Sequence, residues 1–469
     1  MLEKKDMTVT AADGGPFRDE DGAIRPEFLE RVSEAIRHGD AATVRAIAGE
    51  LHEADTGDLL EALDPELRHR FIELMGRDFD FTALTEVDDT VRDEILEELP
   101  TETVAEGVRD LDSDDAAHIL EDLPKEDQEE ILEQLPHPER GAVERLLKYP
   151  EDSVGRRMQT EFIAVPPYWT VGHAIDHMRE TADLPERFYQ LYVVDPSYKL
   201  LGPVALDRLL RTKRPVPIAE LLDEDHRRVR ATDDKEEVAR MFERYNLVAA
   251  PVVDDDDRLV GVLTIDDVVD VIEEEAEEDI RALGGVHRHE ELSDSVLTIA
   301  KSRFPWLLAN LFTALLSAWV ISQFEGSIEK MVALAVLMPI VASMGGNAGT
   351  QTMTVAVRAI ATRDLSDVNS WRVLRRELMV GIINGFGFAL IMGIIAAVWF
   401  QVNDLGVVIG LAMICVLAAA ALGGIIIPLA LIRLGVDPAI ASGPFVTTVT
   451  DVVAFFSFLG IATLWFGLR

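Results

Sequence analysis

Residues 338–361, MPIVASMGGNAGTQTMTVAVRAIA, decide how the rest of the chain must fold. The stretch is apolar enough to lie in a bilayer, yet it contains Pro339, Asn347, Gln351, three glycines and several threonines. Small residues let helix backbones approach closely, and amides at membrane depth have to face protein or water. Two interpretations stay open: a packing interface between helices with a few satisfied polar groups, or the wall of an aqueous path.

Asp451 favours the aqueous path. It stands in the middle of the last apolar segment, after Pro438 and the threonine-rich run that includes Thr447. A carboxylate at the centre of a bilayer is costly and is by default a functional candidate. No Lys or His in the spans can pair with it, so it needs a proton or a bound cation. We expect Thr447 and Gly346 to line the same path.

The charge of the chain divides it into two parts. The 469 residues include 44 basic and 84 acidic ones, a formal net charge of -40. Residues 301–469 contain 10 and 8 of these, so residues 1–300 contain 34 and 76, a net charge of -42. Acidic surface argues against nucleic-acid binding. It is either a solvated coat or a binder of divalent cations, and we expect the coat to explain most of it.

Five apolar segments follow residue 300, and each is long enough to cross a membrane. They cover residues 304–324, 331–361, 378–400, 407–434 and 438–468. Basic residues concentrate on one side if the acidic part is cytoplasmic, which places the C-terminus outside. The cytoplasmic flanks would carry Lys301, Arg303, Arg358, Arg363, Arg372, Arg375, Arg376 and Arg433, against Lys330 and Arg469 outside. The sequence predicts a multi-pass protein of the plasma membrane (the bacterial inner membrane), with WRVLRREL at the lipid interface.

The acidic part begins with a polar tail at 1–24 and continues as a helical repeat at 25–150. Apolar hexamers that end in Pro, Asp or Gly recur at multiples of twelve residues, for example ILEELP at 95, ILEDLP at 119 and ILEQLP at 131. Each unit has apolar residues at helical spacing and then a breaker, which is typical of stacked short helices. We expect His118 and His137 to be ordinary surface residues. No signal peptide is expected, because the N-terminus lacks an apolar core.

Residues 151–210 and 211–272 share one pattern of strand, helix, strand, strand and helix. The pattern resembles a pair of CBS domains, a family whose members often bind adenine nucleotides. In that family a Gly, a Ser or Thr three residues on and an Asp three further contact the nucleotide. The second unit has Gly261, Thr264 and Asp267, whereas the first has Gly202, Ala205 and Arg208. The resemblance therefore places any nucleotide, such as ATP, in the second unit; a regulatory fold without nucleotide is the alternative.

Residues 254–279 contain 13 carboxylates and one basic residue. A helix that starts near Ile265 is predicted to continue past the second unit, as a connecting helix at 273–300. Carboxylates without soft ligands suit hard cations such as Mg²⁺ or Ca²⁺. The alternative is a solvated helix whose like charges repel.

The order of parts and several motifs resemble the MgtE family of Mg²⁺ channels over essentially residues 25–469. The motifs are GGNAGTQ, RAIATRDL, GVDPAIASGP and the TD of the last segment. The resemblance implies a homodimeric, Mg²⁺-selective channel, with Mg²⁺ as both substrate and regulator. It implies that Asp451 and Asn347 contact hydrated Mg²⁺ in the pore at 301–469, and that 273–300 is the family's plug helix.

The resemblance also implies that cytosolic Mg²⁺ closes the pore by bridging acidic faces. The implied regulatory residues are Asp267, Asp270, Glu275, Glu278, Asp279, Asp437 and Glu236. Two positions depart from the family pattern. Gly443 stands where an Asn can line the pore, and Asn246 stands where an acid can bind regulatory Mg²⁺, which predicts one weakened sensor site.

We therefore predict a multidomain membrane protein: an α-helical repeat domain, α/β tandem CBS domains and an all-α five-helix membrane domain. Its predicted function is a magnesium uptake channel and not an enzyme, since no metal-hydrolase motif such as H-E-x-x-H occurs. The alternative is a proton- or sodium-coupled divalent cation transporter that uses Asp451. That alternative would more naturally need further intramembrane acids or bases, or repeated halves with broken helices.

Overall fold

The computed structural model describes residues 17–19, 22–181, 184–185, 187–223, 226–286, 290, 295–362, 365 and 370–468. Most of the predicted tail at 1–24 lies outside these residues, as do the flanking cations Arg363 and Arg469. The chain forms two compact units, Met1–Glu274 and Glu275–Arg469.

The first unit begins with short helices, which confirms the predicted helical repeat. Its helices are α1 (Pro26–His38), α2 (Ala41–Ala48), α3 (Glu53–Ala62), α4 (Pro65–Met75), α5 (Asp89–Glu98), α6 (Thr101–Val108), α7 (Ser113–Leu120), α8 (Lys125–Gln134), α9 (His137–Leu146) and α10 (Val154–Arg157). From α3 to α9 the starts are separated by twelve residues or a multiple of twelve. No α-helix starts at position 77, twelve residues after the start of α4. The 3-10 turns Gly76–Asp78 and Phe81–Leu84 occupy this part of the chain.

The helices of the repeat end where the sequence supplies a breaker. α5 stops before Leu99 and Pro100, and α8 stops before Leu135 and Pro136. The residue before a proline is forced away from the helical conformation, so each Leu-Pro pair ends one helix and starts the next. α6 then contacts α8, and α7 contacts α9, so that the apolar faces are buried between alternate helices.

Two three-stranded sheets follow, and they confirm the predicted pair of α/β units. The first unit contains β1 (Ala164–Val165), α11 (Val171–Glu180), β2 (Gln190–Val194), β3 (Leu200–Ala205) and α12 (Leu206–Arg211). The second contains β4 (Val229–Arg230), α13 (Lys235–Tyr245), β5 (Ala249–Val253), β6 (Leu259–Thr264) and α14 (Ile265–Leu283). In each sheet the first strand is parallel to the second and the third is antiparallel to it. The two units pack through a shared cluster that contains Tyr192, Val253 and Leu259.

The second unit of the chain has five helices with the length and hydropathy of membrane spans. They are α15 (Val296–Ser322), α17 (Val332–Ala361), α18 (Ser370–Phe400), α19 (Asn403–Arg433) and α20 (Pro438–Phe466), with the short α16 (Glu325–Lys330) before α17. They confirm the five predicted spans. α19 is the most buried of the five and contacts α17, α18 and α20.

Glycines let these helices approach closely. A Cβ at Gly424 of α19 would lie 2.7 Å from Thr352 Cβ and 2.9 Å from Met353 N of α17. A Cβ at Gly349 would lie 2.8 Å from Val446 Cγ1 of α20. Gly345 and Gly349 therefore serve helix packing on one face of α17.

Candidate ion path and acidic clusters

The opposite face of α17 carries the polar side chains. Ser343, Asn347, Thr350, Gln351 and Thr354 recur at helical spacing and are all exposed. A polar face in a membrane span cannot lie against lipid, because its hydrogen-bonding groups would go unsatisfied. The packing interpretation therefore holds for one face of α17, and the polar face stays the predicted wall of the aqueous path.

A second polar stripe runs along α20. Gly443, Thr447 and Asp451 are spaced four residues apart, so they share one face of the helix. Asp451 is partly buried and makes no hydrogen bond or ion pair with any residue that the structure describes. Gly346 on α17 has open space where a side chain would begin, and the nearest atom to a Cβ at Gly443 is Trp306 Cζ2 at 4.0 Å. Both glycines leave room for water or a hydrated ion.

A cluster of carboxylates forms in the first unit where α7 meets α14. Asp114 and Asp115 in the first turn of α7 lie close to Asp267 and Asp270 of α14. Asp114 is 6% exposed, and neither of its carboxylate oxygens receives a hydrogen bond within the described part of the chain. Its carboxyl group faces that of Asp267, which also accepts a hydrogen bond from Thr264 Oγ1.

The cluster holds its protons more tightly than ordinary carboxyl groups do. Burial, reinforced by the charge of Asp267, raises the pKa of Asp114 well above its usual range and that of Asp115 to about 7. Burial raises the pKa of Asp267 to about 6 against the opposing bond from Thr264, and burial with the charge of Asp267 raises that of Asp270 to about 6. Four like charges in a low-dielectric site favour either protonation or a bound cation.

Sequence reasoning found Asp267 and Asp270 but missed Asp114 and Asp115. Acids in the first turn of a helix are favoured by the helix dipole, so SDDA had a sufficient local explanation. The contact with α14 joins segments that are distant in sequence. The usable signal was the pair of adjacent acids that directly follows Ser113 at the start of α7.

The C-terminal part of α14 belongs to the second unit, where it packs on the membrane helices. Ala282 is buried in a cluster with Met353, Val357, Ala439 and Val446. Glu278 and Asp279 precede Ala282 by about one turn, and Asp437 caps the start of α20 two residues before Ala439. Asp437 Oδ1 accepts a bond of 2.7 Å from Ala439 N. The predicted regulatory residues at this end of α14 and at the start of α20 therefore lie in one region of the unit, together with Glu275, one turn before Glu278 on α14.

Glu236 and Asn246 lie at opposite ends of α13. Glu236 is in the first turn and pairs with Arg240 one turn later. Asn246 ends the helix in the left-handed conformation, with φ 51°. Asn and Gly adopt this conformation more readily than other residues do, which gives Asn246 a structural role at a position where the family can have an acid.

The predicted nucleotide-binding residues of the second α/β unit, Gly261, Thr264 and Asp267, are covered by other residues. A Cβ at Gly261 would lie 2.6 Å from Met158 Sδ, and Thr264 is 7% exposed. A cavity of about 380 Å³ lies instead in the first α/β unit. It is lined by Gln190, Pro203, Ala205, Asp207, Arg208, Arg211, Thr212, Leu221 and Asp223. A nucleotide at Gly261 requires residues 158–159 and Asp114 to move away.

The prediction that His118 is an ordinary surface residue is wrong. Its side chain is 19% exposed, bonds Glu121 and Arg92 and contacts Arg157, whereas His137 is exposed. Among the described residues, no group of three or more His, Cys, Asp or Glu side chains is arranged to hold a metal ion. A divalent ion at these clusters would rest on pairs of carboxylates and keep part of its water, as Mg²⁺ does.

Three family profiles match the chain. The profile described as a divalent cation transporter matches residues 338–461, the MgtE intracellular N domain matches 51–152, and the CBS domain matches 218–274.

Curated relatives extend the match. The chain is 38% identical over 314 residues to a magnesium transporter MgtE of Enterococcus faecalis, which covers 67% of this chain and 69% of the relative. It is 36% identical over 319 residues to the protein of that name from Thermus thermophilus, covering 67% and 70%. One solved structure, the cytosolic domain of the Mg²⁺ channel MgtE in complex with ATP, is 32% identical and covers 52% of this chain and 99% of that one, with a TM-score of 0.49.

Proposed function

This chain belongs to the MgtE family of magnesium transporters, and from that premise we propose that it is a Mg²⁺-selective channel that cytosolic Mg²⁺ closes. It is a multi-pass membrane protein. We propose that its first unit is cytoplasmic and its C-terminus lies outside, and that it works as a homodimer in lipid. Transport relatives give no reason to propose an enzymatic activity.

The observation that carries the proposal is Asp451, a membrane carboxylate without a partner among the described residues, on a stripe with Thr447 and Gly443. Mg²⁺ dehydrates reluctantly, so a pore for it needs room, oxygen acceptors and a charge at its centre. Asn347, Thr447 and Gly346 supply acceptors or room, and Asp451 supplies the charge. Five helices make a thin bundle, and a second copy would give the polar face of α17 a counterpart.

The acidic clusters supply the proposed regulation. At low Mg²⁺ the carboxylates at Asp114, Asp115, Asp267 and Asp270 repel one another; bound Mg²⁺ offsets that repulsion. In the second unit Glu275, Glu278, Asp279 and Asp437 would respond in the same way, and Glu236 is proposed as a further contributor. ATP is proposed as a modulator that binds Gly261, Thr264 and Asp267 of the second α/β unit.

Cation flux into liposomes that contain the purified protein tests the pore. We expect Mg²⁺ entry driven by its own gradient, with or without a proton gradient. Flux that requires a proton or sodium gradient would instead identify a coupled transporter in which Asp451 cycles its proton.

Hydrogen exchange of α14 in the full chain tests the regulation. Protection of its amides should rise steeply over a millimolar range of Mg²⁺, because several ions act together. NaCl of equal ionic strength should protect poorly, since it only screens the repulsion. Equal protection by both salts would mean that the acidic run is only a solvated coat.

A further inference from the structure

The short helix α10 lies where the helical repeat meets the second α/β unit. Its backbone is tied to that unit, because Val154 N donates to Asp233 O at 2.9 Å and Gly155 N donates to Ala231 O at 2.7 Å. It also contacts α7 and α9 of the helical repeat. A side chain on α10 can therefore touch both parts at once.

Arg157, the last residue of α10, does so. One of its terminal nitrogens lies 2.9 and 3.0 Å from the two carboxylate oxygens of Glu274 on α14. Lys235 Nζ, at the start of α13, lies 3.1 Å from one of the same oxygens. The side chains of Arg157 and Lys235 are 19% and 12% exposed and that of Glu274 is 38% exposed, so water screens these charges only in part. Glu274 is held by two cations that belong to the protein.

The other end of Arg157 reaches His118 on α7. Arg92, whose side chain is fully buried, lies 3.0 Å from His118 Nε2, and an Arg nitrogen can only donate. Nε2 therefore accepts, and Nδ1 carries the proton and donates to Glu121 at 2.8 Å. Arg157 lies 3.2 Å from the same Nδ1. Both groups are donors there, so Arg157 packs against the ring without bonding it, and the attraction comes from the charge of Glu121 at the end of α7.

Two acids nearer the start of α14 lack such partners. Asp267 and Asp270 make no ion pair with any residue in the described part of the chain, although they lie within two turns of Glu274. Glu274 is thus neutralised by fixed cations, whereas Asp267 and Asp270 are not. Only the second kind gains from a bound divalent ion.

We propose that Arg157 is a positioning residue for the closure by Mg²⁺. Together with Lys235 it supplies fixed positive charge that holds Glu274, and with it the N-terminal half of α14, against the helical repeat. Mg²⁺ then has to neutralise fewer carboxylates, so closure needs less Mg²⁺ than it would without Arg157. The inference rests on the proposed closure by Mg²⁺ and specifies which side chains set its midpoint.

A double-mutant cycle on the full chain in lipid nanodiscs tests it. The readout is the Mg²⁺ concentration that gives half-maximal protection of the α14 amides from hydrogen exchange. Arg157→Met should raise this midpoint about five-fold or more, within the usual range of coupling between sites. In a Glu274→Gln background, Arg157→Met should add nothing further, because the contact it removes is already lost.

Two control variants test whether the effect is specific to Arg157, and one measurement tests whether each variant folds. Arg156→Met changes the neighbouring residue on the same helix, which contacts Glu121 at 3.7 Å, and should leave the midpoint in place. Arg157→Lys keeps the charge and should fall between the parent and Arg157→Met. Each melting temperature in EDTA reports whether the variant folds.

The outcomes separate the two hypotheses. A parent whose α14 gains no protection from Mg²⁺ would overturn the proposed closure and this inference with it. A parent that responds, with an unchanged midpoint in Arg157→Met or with additive effects of Arg157→Met and Glu274→Gln, would overturn the inference alone.

Discussion

The carboxyl group of Asp114 faces that of Asp267, and within the described residues no donor reaches either oxygen of Asp114. Asp114 comes from the first turn of a helix in the repeat, whereas Asp267 comes from the first turn of the helix that leads to the membrane unit. Two buried carboxylates at such a junction cannot both be charged without a cation nearby. A proton or a metal ion at this junction therefore stabilises it.

Replacing Asp114 with Asn should stabilise the first unit in EDTA at neutral pH. The amide can donate to Asp267, so the substitution removes both a buried charge and an unsatisfied acceptor, worth about 1–3 kcal/mol in the free energy of unfolding. The stabilisation by Mg²⁺ should shrink at the same time. Thermal melts of the full chain in EDTA and in Mg²⁺ measure both effects. Asp110→Asn, on an exposed carboxylate, is the matched control, and a lower melting temperature for Asp114→Asn would contradict the prediction.

In EDTA, stability should fall as the pH rises from about 5 to about 8. The pKa values of Asp267 and Asp270, about 6, and of Asp115, about 7, lie above the ordinary value of an Asp. The folded state therefore binds more protons than the unfolded state in this range, so the free energy of unfolding decreases as the pH rises. Saturating Mg²⁺ should flatten the curve. Melting temperatures at several pH values measure it, and a rise with pH in EDTA would refute the assignment.

Replacing Asp451 with Ala should reduce Mg²⁺ flux to the level of protein-free liposomes while the protein stays folded. Asp451→Asn should be nearly as severe, because the charge rather than the shape attracts a hydrated divalent ion. Asp404→Ala, at the start of α19, removes an exposed carboxylate from the end of a span and should conduct like the parent. If Asp451→Ala also conducts like the parent, Asp451 is not the pore ligand.

Replacing Gly424 with Ala should destabilise the membrane unit. Its new Cβ would lie within 3.0 Å of Thr352 Cβ, Met353 N and Gly349 O, and the last two are backbone atoms that cannot rotate away. Overpacking of this kind costs about 1–3 kcal/mol. Gly387→Ala on α18, with no atom within 4 Å of the added carbon, is the control. Thermal stability in detergent distinguishes them, and equal melting temperatures would contradict the close approach.

ATP binding tests which α/β unit holds the nucleotide. The motif predicts that Asp267→Ala weakens binding and that Arg208→Gln does not. The observed cover over Gly261 adds a condition, because ATP then has to compete with the contact between Asp114 and Asp267. ATP should therefore bind more tightly to an Asp114→Ala variant. Isothermal titration calorimetry of ATP with each variant measures the binding. If only Arg208→Gln abolishes binding, the nucleotide binds in the cavity of the first α/β unit.

The elements that the sequence predicted well are those with local causes. Leu-Pro pairs such as Leu99–Pro100 set the helix ends of the repeat, and runs of apolar residues define the five spans. The same reasoning failed for His118, because the side chains that cover it, Arg92 and Arg157, come from other helices. It also missed Asp114 and Asp115, whose importance depends on a tertiary contact. In membrane segments the polar residues stood out against an apolar background, so Asn347 and Asp451 could be proposed as pore residues without knowledge of their neighbours.

The alternation of the repeat helices limits how such a domain can change in length. α7 and α9, which contact each other, begin 24 residues apart, at Ser113 and His137, with α8 on the other side. Inserting one unit of twelve residues would move every later helix to the opposite layer and turn its apolar face outward. Two units restore the layer. Insertions and deletions that preserve the fold of this domain should therefore add or remove two helices, or 24 residues, at a time.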